Sequence, residues 1–185
     1  MRFEVVYPAD AWSVMPRPDA HADEPWVADQ AAAWAAGPLS GLADRLQVAA
    51  RQALLRRRAG IDTSLFFRPV GIPVTGVLHA ALRTVPPAAA EAAATGSPEW
   101  MLPEVALRSD PVVEDFETEH VPRGRRVAFV TTEPDGSGAT LAGIAYGLVW
   151  RDMIGLVFSE LAHREAIGAM QLHADPLVGS LRVVR

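Results

Sequence analysis

The sequence predicts an α+β fold: an antiparallel sheet of about 6–7 strands, ending in a C-terminal meander and packed with helices as an α/β/α sandwich. Three observations lead there. Residues 42–54 carry an unbroken stripe at helical spacing. From Val112 onward strand-like runs follow one another with short, turn-rich connections. Parallel crossovers take a dozen residues or more, so these runs must pair antiparallel.

In chain order, residues 2–7 alternate weakly and stop at Pro8, which suits a short strand. Residues 8–25 hold four prolines and several acids and read as an irregular surface segment. Asp23-Glu24-Pro25 opens a helix to about Ala36, with Asp23 as N-cap, and Gly37-Pro38 breaks it. A second helix spans 39–58. Its Leu42, Leu46, Ala49, Ala50, Ala53 and Leu54 form one stripe, Arg56, Arg57 and Arg58 fill its last turn, and Gly60 stops it. Such a helix packs on a flat apolar partner, which a sheet supplies.

Leu65-Phe66-Phe67 and Val74–Val85 begin that sheet. In the longer run Val74, Leu78, Ala80 and Leu82 share one face, and Thr75, His79 and Arg83 the other. Residues 86–100 read equally as a short alanine helix or a loose crossing. Any domain boundary would fall there, but the first half has too few strands to stand alone, so 1–185 is expected to be a single domain. Strands follow at 112–121, 126–132, 139–150 and 153–159, divided by Arg123-Gly124-Arg125 and by the turn cluster Glu133–Gly138. The third run alternates best: Ile144, Tyr146, Leu148 and Trp150 on one face, Gly143, Ala145 and Gly147 on the other, where small residues admit a close covering helix. Ser159 is expected to cap a helix to about Leu172, and Asp175-Pro176 to open a short final one.

Composition narrows the function classes. Every basic side chain is arginine, there being no lysine, and with abundant Ala, Pro and Gly this points to a GC-rich, bacterial source. The net charge of −5 argues against a nucleic-acid binder, which needs a basic face. Without cysteine there is no disulfide, thiolate nucleophile or thiolate metal site. The first residues lack an apolar signal core, and no run reaches the length of a membrane span, so a cytoplasmic location and no membrane partner are expected. No cofactor motif is present, so no cofactor is expected. Gly136-Ser137-Gly138 leads into a strand and has no lysine, which makes it a hairpin and not a phosphate loop. Ser40 sits between helices, not on a strand-to-helix elbow.

The remaining chemistry rests on a few constellations. Asp115, Glu117 and Glu119 would project from one face of the 112–121 strand, about 6.6–6.8 Å apart, with His120 adjacent. Such carboxylates can share a divalent cation, though an acidic strand also simply deters edge-to-edge association. His79 and Arg83, on one strand face, could together meet an anionic ligand; neither they nor His21, His120, His163 and His173 form H-E-x-x-H. Trp12, Trp26 and Trp100 fall in irregular, Pro-rich stretches, where a large ring either plugs the core or awaits a partner.

The order of elements resembles a known group. Tyr7-Pro8-Ala9-Asp10-Ala11-Trp12 resembles the proline-then-tryptophan opening of the Mog1/PsbP-like superfamily, and Leu177-Val178-Gly179-Ser180-Leu181 its closing segment. The likeness covers both termini and the meander, but not residues 20–60. It implies an α/β/α sandwich with binding or accessory roles more than catalysis, and supplies no site residues. The expected function is therefore a non-enzymatic binding or adaptor protein, with a protein partner or a second copy as occupant. The alternatives are a small metal-assisted hydrolase on the acidic strand 114–120 and a carrier of small anionic ligands at His79 and Arg83.

Overall fold

The runs beyond Val112 fold as hairpins, as their short connections require. A computed structural model describes residues 2–18, 21–132 and 140–184 of the protein; the Glu133–Gly138 turn lies outside them. In chain order the elements are β1 (Arg2–Glu4), β2 (Trp12–Val14), α1 (Asp23–Ala35), α2 (Ala43–Leu54), β3 (Thr63–Phe67), β4 (Gly76–Thr84), α3 (Pro87–Thr95), β5 (Val112–Asp115), β6 (Arg123–Thr132), β7 (Thr140–Trp150), β8 (Met153–Ser159), β9 (Ala162–His163), α4 (Arg164–Gly179) and β10 (Arg182–Val184). Short 3-10 turns precede α2 (Ser40–Leu42) and follow α3 (Pro98–Met101).

The main sheet is open and antiparallel, in the order β2-β3-β4-β8-β7-β6-β5, with β9 pairing to β7. β1 and β10 form a separate two-stranded ribbon. Strand alternation divides the core into layers. Ile144, Tyr146 and Leu148 of β7, Leu78 and Ala80 of β4 and Val157 of β8 face α4, which supplies Ile167, Met170, Ala174 and Leu177. On the opposite face α1 and α2 set Val27, Trp34, Leu46 and Ala50 over Phe66 and Val77. Farther along that face Met101 covers Val127, Phe129 and Ala145. Each large apolar side chain buried this way stabilises the fold by roughly 1.5–3 kcal/mol. Helices thus lie on both faces of an antiparallel sheet.

Several local expectations give way to tertiary contacts. The segment before α1 contributes β2, an edge strand paired to β3, because Trp12 buries its ring against Phe67 at 4.9 Å. Asp23 makes no N-cap hydrogen bond; both its oxygens instead accept from Arg57 at 2.8 Å. The second helix is shorter than the expected 39–58, spanning Ala43–Leu54, so Arg56–Arg58 lie beyond its last turn. Residues 86–100 form α3 and a 3-10 turn packed on the sheet, with Ala90 and Met101 buried.

The 112–121 run stops at Asp115, and Arg123-Gly124-Arg125 belongs to β6. Phe116 N donates to Gly124 O at 2.9 Å, and a Cβ on Gly124 would stand 2.5 Å from the Phe116 carbonyl. Only glycine lets the chain turn back so closely there. Ser159 does not cap a helix: it ends β8, and its buried hydroxyl accepts from Ile144 N at 3.0 Å. α4 is one helix running through Pro176, with Leu181 buried just past its end.

Beneath α4 a polar chain ties helix to sheet. The hydroxyl of Tyr146, wholly buried, donates to Asp175 at 2.7 Å, and Arg126 bridges Asp175 and Glu114. Burial, then the hydrogen bond and charge of Asp175, push the Tyr146 phenol far above its ordinary pKa. Burial works against the Arg126 charge, but the two carboxylates outweigh it and hold the guanidinium protonated. No helix among the described residues is long and apolar enough to cross a membrane.

Candidate functional site

The helices do not cover the whole second face of the sheet. Between the end of α2 and the 98–105 segment an open cleft of about 1210 Å³ is left. Strand alternation builds its floor: Phe129 of β6 and Leu156 and Phe158 of β8 point into it. Trp100, Met101 and Leu102 wall one side, and Leu141 and Leu161 close the end near β9. Trp100 reaches its place because Gly147 lies beneath it; a Cβ there would stand 2.6 Å from the indole. The small face of β7 thus admits α3 near Gly147 and Val149, as expected, and two aromatic side chains besides: Trp100 over Gly147 and Phe129 over Gly143.

Charged side chains line the cleft beside this apolar floor, Arg56, Arg58, Glu104, Glu160 and Glu165, and Glu160 among them is tied into the sheet. Glu160 follows Phe158 on the same face, just past the end of β8, where its N–H donates to Val77 O at 2.9 Å. Its Oε1 lies 3.1 Å from Nε2 of His79, whose Nδ1 lies 2.8 Å from the Ser64 hydroxyl. A carboxylate only accepts, so Nε2 carries the proton and, in the neutral ring, Nδ1 accepts from Ser64. Arg58 completes the chain: its Nε donates to Oε1 at 2.7 Å, and its Nη2 stands 2.6 Å from the same oxygen as an ion pair. Its guanidinium carbon lies 5.6 Å from the Phe158 ring centre, and the His79 ring packs on the same Phe158 at 5.2 Å.

The energetics of this cluster set the charge of Glu160. Burial, the largest single influence, raises its pKa, since the side chain is only 12 % exposed. The hydrogen bond from His79 and the Arg58 charge together outweigh it, and the carboxyl sits below its ordinary 4.5. Glu160 is therefore ionised near neutrality.

The residues singled out from sequence fare differently. His79 is wholly buried, whereas Arg83 is half exposed and paired with Asp62 at 3.3 Å, so the two do not converge on one ligand. Trp12 is a core ring. Trp26 lies half-buried against Phe66, its indole N–H donating to Ser13 at 3.1 Å. Only Trp100 of the three lines the cleft. Because β5 ends at Asp115, Glu117 and Glu119 sit in the following turn, exposed and off any shared strand face. His120 accepts from Arg182 at 3.0 Å through Nε2. Among the described residues no three His, Asp or Glu side chains gather as a metal site.

Sequence pattern does not single out Glu160 or Arg58: it sets Glu160 in the first turn of a helix opened by Ser159 and Arg58 at the end of the 39–58 helix. The available signal was weak: Phe158 and Glu160 alternate on one side of a run that ends in a break. Their partnership needs β8 beside β4 and the α2 terminus above both. No protein-family model matches the chain, and no curated protein matches it in sequence.

Proposed function

We propose that this is a non-enzymatic binding protein and that the cleft over Phe129, Leu156 and Phe158 is its binding surface. The observation that carries this reading is the cleft itself: at about 1210 Å³ it exceeds the usual ligand-pocket range of roughly 300–1,000 Å³, and its apolar floor is accompanied by charged residues such as Arg58 and Glu160. The chemistry beside it favours binding over turnover. The imidazole that meets the Ser64 hydroxyl is wholly buried, and Ser64 is not among the cleft-lining residues. The scattered acids of the 114–120 segment offer no joint metal site. The binding or accessory roles implied by the Mog1/PsbP-like resemblance agree with this. An arginine-only, cysteine-free composition fits a bacterial, cytoplasmic setting.

Titration with the neutral apolar dye Nile red tests the reading. The wild-type protein is expected to bind it with enhanced fluorescence. Leu156→Arg in the floor and Leu102→Arg in the wall should each weaken it about tenfold or more with circular dichroism unchanged. A folded wild-type protein that leaves the dye unbound overturns the assignment.

A further inference from the structure

β5 ends the main sheet, and among the described residues no strand lies beyond it. All four of its residues are exposed. Phe116 N donates to Gly124 O along the β5–β6 register, which makes Phe116 and Gly124 a hydrogen-bonded pair. Alternation by two puts Glu114–Arg126 and Val112–Ala128 in the same class. The main-chain N–H and C=O of Val113 and Asp115 therefore point away from β6, toward solvent. Valine side chains flank them on the two faces of the strand, Val112 60 % and Val113 40 % exposed.

Charge decides what can use this edge. Glu114 is paired with Arg126, whereas Arg125, which stands opposite Asp115, donates to Gly96 O at 2.6 Å instead. Asp110, Asp115, Glu117 and Glu119 are exposed and join no ion pair among the described residues. A second copy would bring the same acids to the contact, so the edge is guarded against pairing with itself. Guarding accounts for the carboxylates. It does not account for two exposed valines beside outward main-chain groups, which are the features an added strand uses. We infer that the β5 edge takes up an extended, arginine- or lysine-rich segment of a partner protein as one more strand. The segment's main chain pairs with Val113 and Asp115, its β-branched side chains rest on the valines, and its cations meet the four free carboxylates. The surface is separate from the cleft, none of whose lining residues belongs to β5.

The test uses short capped peptides alternating arginine with valine, followed by fluorescence polarisation at low salt. The inference expects binding that weakens as salt is added, and none by the counterpart with glutamate in place of arginine. N-methylating the peptide amides leaves its charge intact and should weaken binding about tenfold or more. Val113→Pro removes an N–H that makes no bond to β6, so β5 is kept, and the same loss is expected. Asp115→Asn combined with Glu117→Gln and Glu119→Gln should also lose about tenfold or more and flatten the salt dependence. Both variants should match wild type in circular dichroism and in Nile red binding, since neither lies in the cleft. Where Val113→Pro does not fold, the N-methylated peptide and the neutralised variant decide the matter. Undiminished affinity for the N-methylated peptide, or in a folded Val113→Pro, overturns the added strand. Absence of peptide binding, or self-association of the wild type that Val113→Pro abolishes, overturns the basic partner. Each of these outcomes leaves the cleft reading to the dye titration.

Discussion

His79, wholly buried on β4, and Glu160, just past the end of β8, meet at 3.1 Å although they stand 81 positions apart in the chain. The contact joins the cleft to the interior of the sheet, because the other face of the imidazole bonds Ser64 on β3. Replacing His79 by alanine removes both hydrogen bonds and leaves a cavity beside a half-buried carboxylate. The expected loss is about 3 kcal/mol, read from the midpoint of urea unfolding.

The same cluster sets an acid limb in the stability profile. Glu160 has a folded pKa below its ordinary 4.5, so its contribution is complete above that value and is lost as pH falls through the lower folded one. Glu160→Gln should unfold less steeply than wild type on acidification below about pH 4.5, at the cost of lower stability at neutral pH. Parallel acid-limb slopes for the two proteins would contradict the assignment.

Tyr146 and Asp175 tie the middle of β7 to the last turns of α4, with Arg126 and Glu114 completing the chain. Tyr146→Phe keeps the ring and loses the bond to a charged acceptor, an expected cost of about 2 kcal/mol. Combined with Arg126→Ala the losses should be non-additive in a double-mutant cycle, since both side chains act on Asp175. In an ultraviolet alkaline titration the Tyr146 phenol should remain un-ionised until the protein unfolds.

Arg57 fastens two helices at once. Its guanidinium grips both oxygens of Asp23 at 2.8 Å, while Nε caps the Leu54 carbonyl at 2.9 Å. Arg57→Ala should cost about 1–2 kcal/mol, allowing for the partial exposure of Asp23. Arg57→Lys should recover less than half of that, because an ammonium cannot make the planar fork. Thermal melts of the three proteins decide it.

Gly147 has room for no side chain: a Cβ would come within 2.7 Å of both the Trp100 ring and the Met101 sulfur. Gly147→Ala should destabilise by about 1–3 kcal/mol and push Trp100 outward, shifting its fluorescence and weakening dye binding in the cleft. An unaltered tryptophan spectrum would show that the wall adapts elsewhere.

Local pattern was enough for much of the architecture. The 3.6-residue stripe identified α2 as a one-sided helix, and Leu46, Ala50, Ala53 and Leu54 are indeed its buried residues. Alternation on β7 assigned Ile144, Tyr146 and Leu148 to one face and Gly143 and Gly147 to the other, which is how the layers divide. The strands that escaped, β2, β9 and β10, are only two or three residues long. Strands that short carry no usable period, and each exists because a partner strand holds it, β2 with the buried ring of Trp12 besides. The acidic run misled for the opposite reason. It had β-propensity and alternation to spare, but the approach of Phe116 to Gly124 ends the strand at Asp115.

The sequence alone therefore determined the antiparallel meander, the amphipathic helix that packs on it and the face each β7 side chain takes, since period and connection length are properties of neighbouring residues. Tertiary structure alone decided where a site lies. Arg58 and Glu160 are 102 positions apart, and the imidazole between Glu160 and Ser64 comes from a third strand. Which charge meets which depends on strand order, register and the layer stacked above, and no local spacing encodes those.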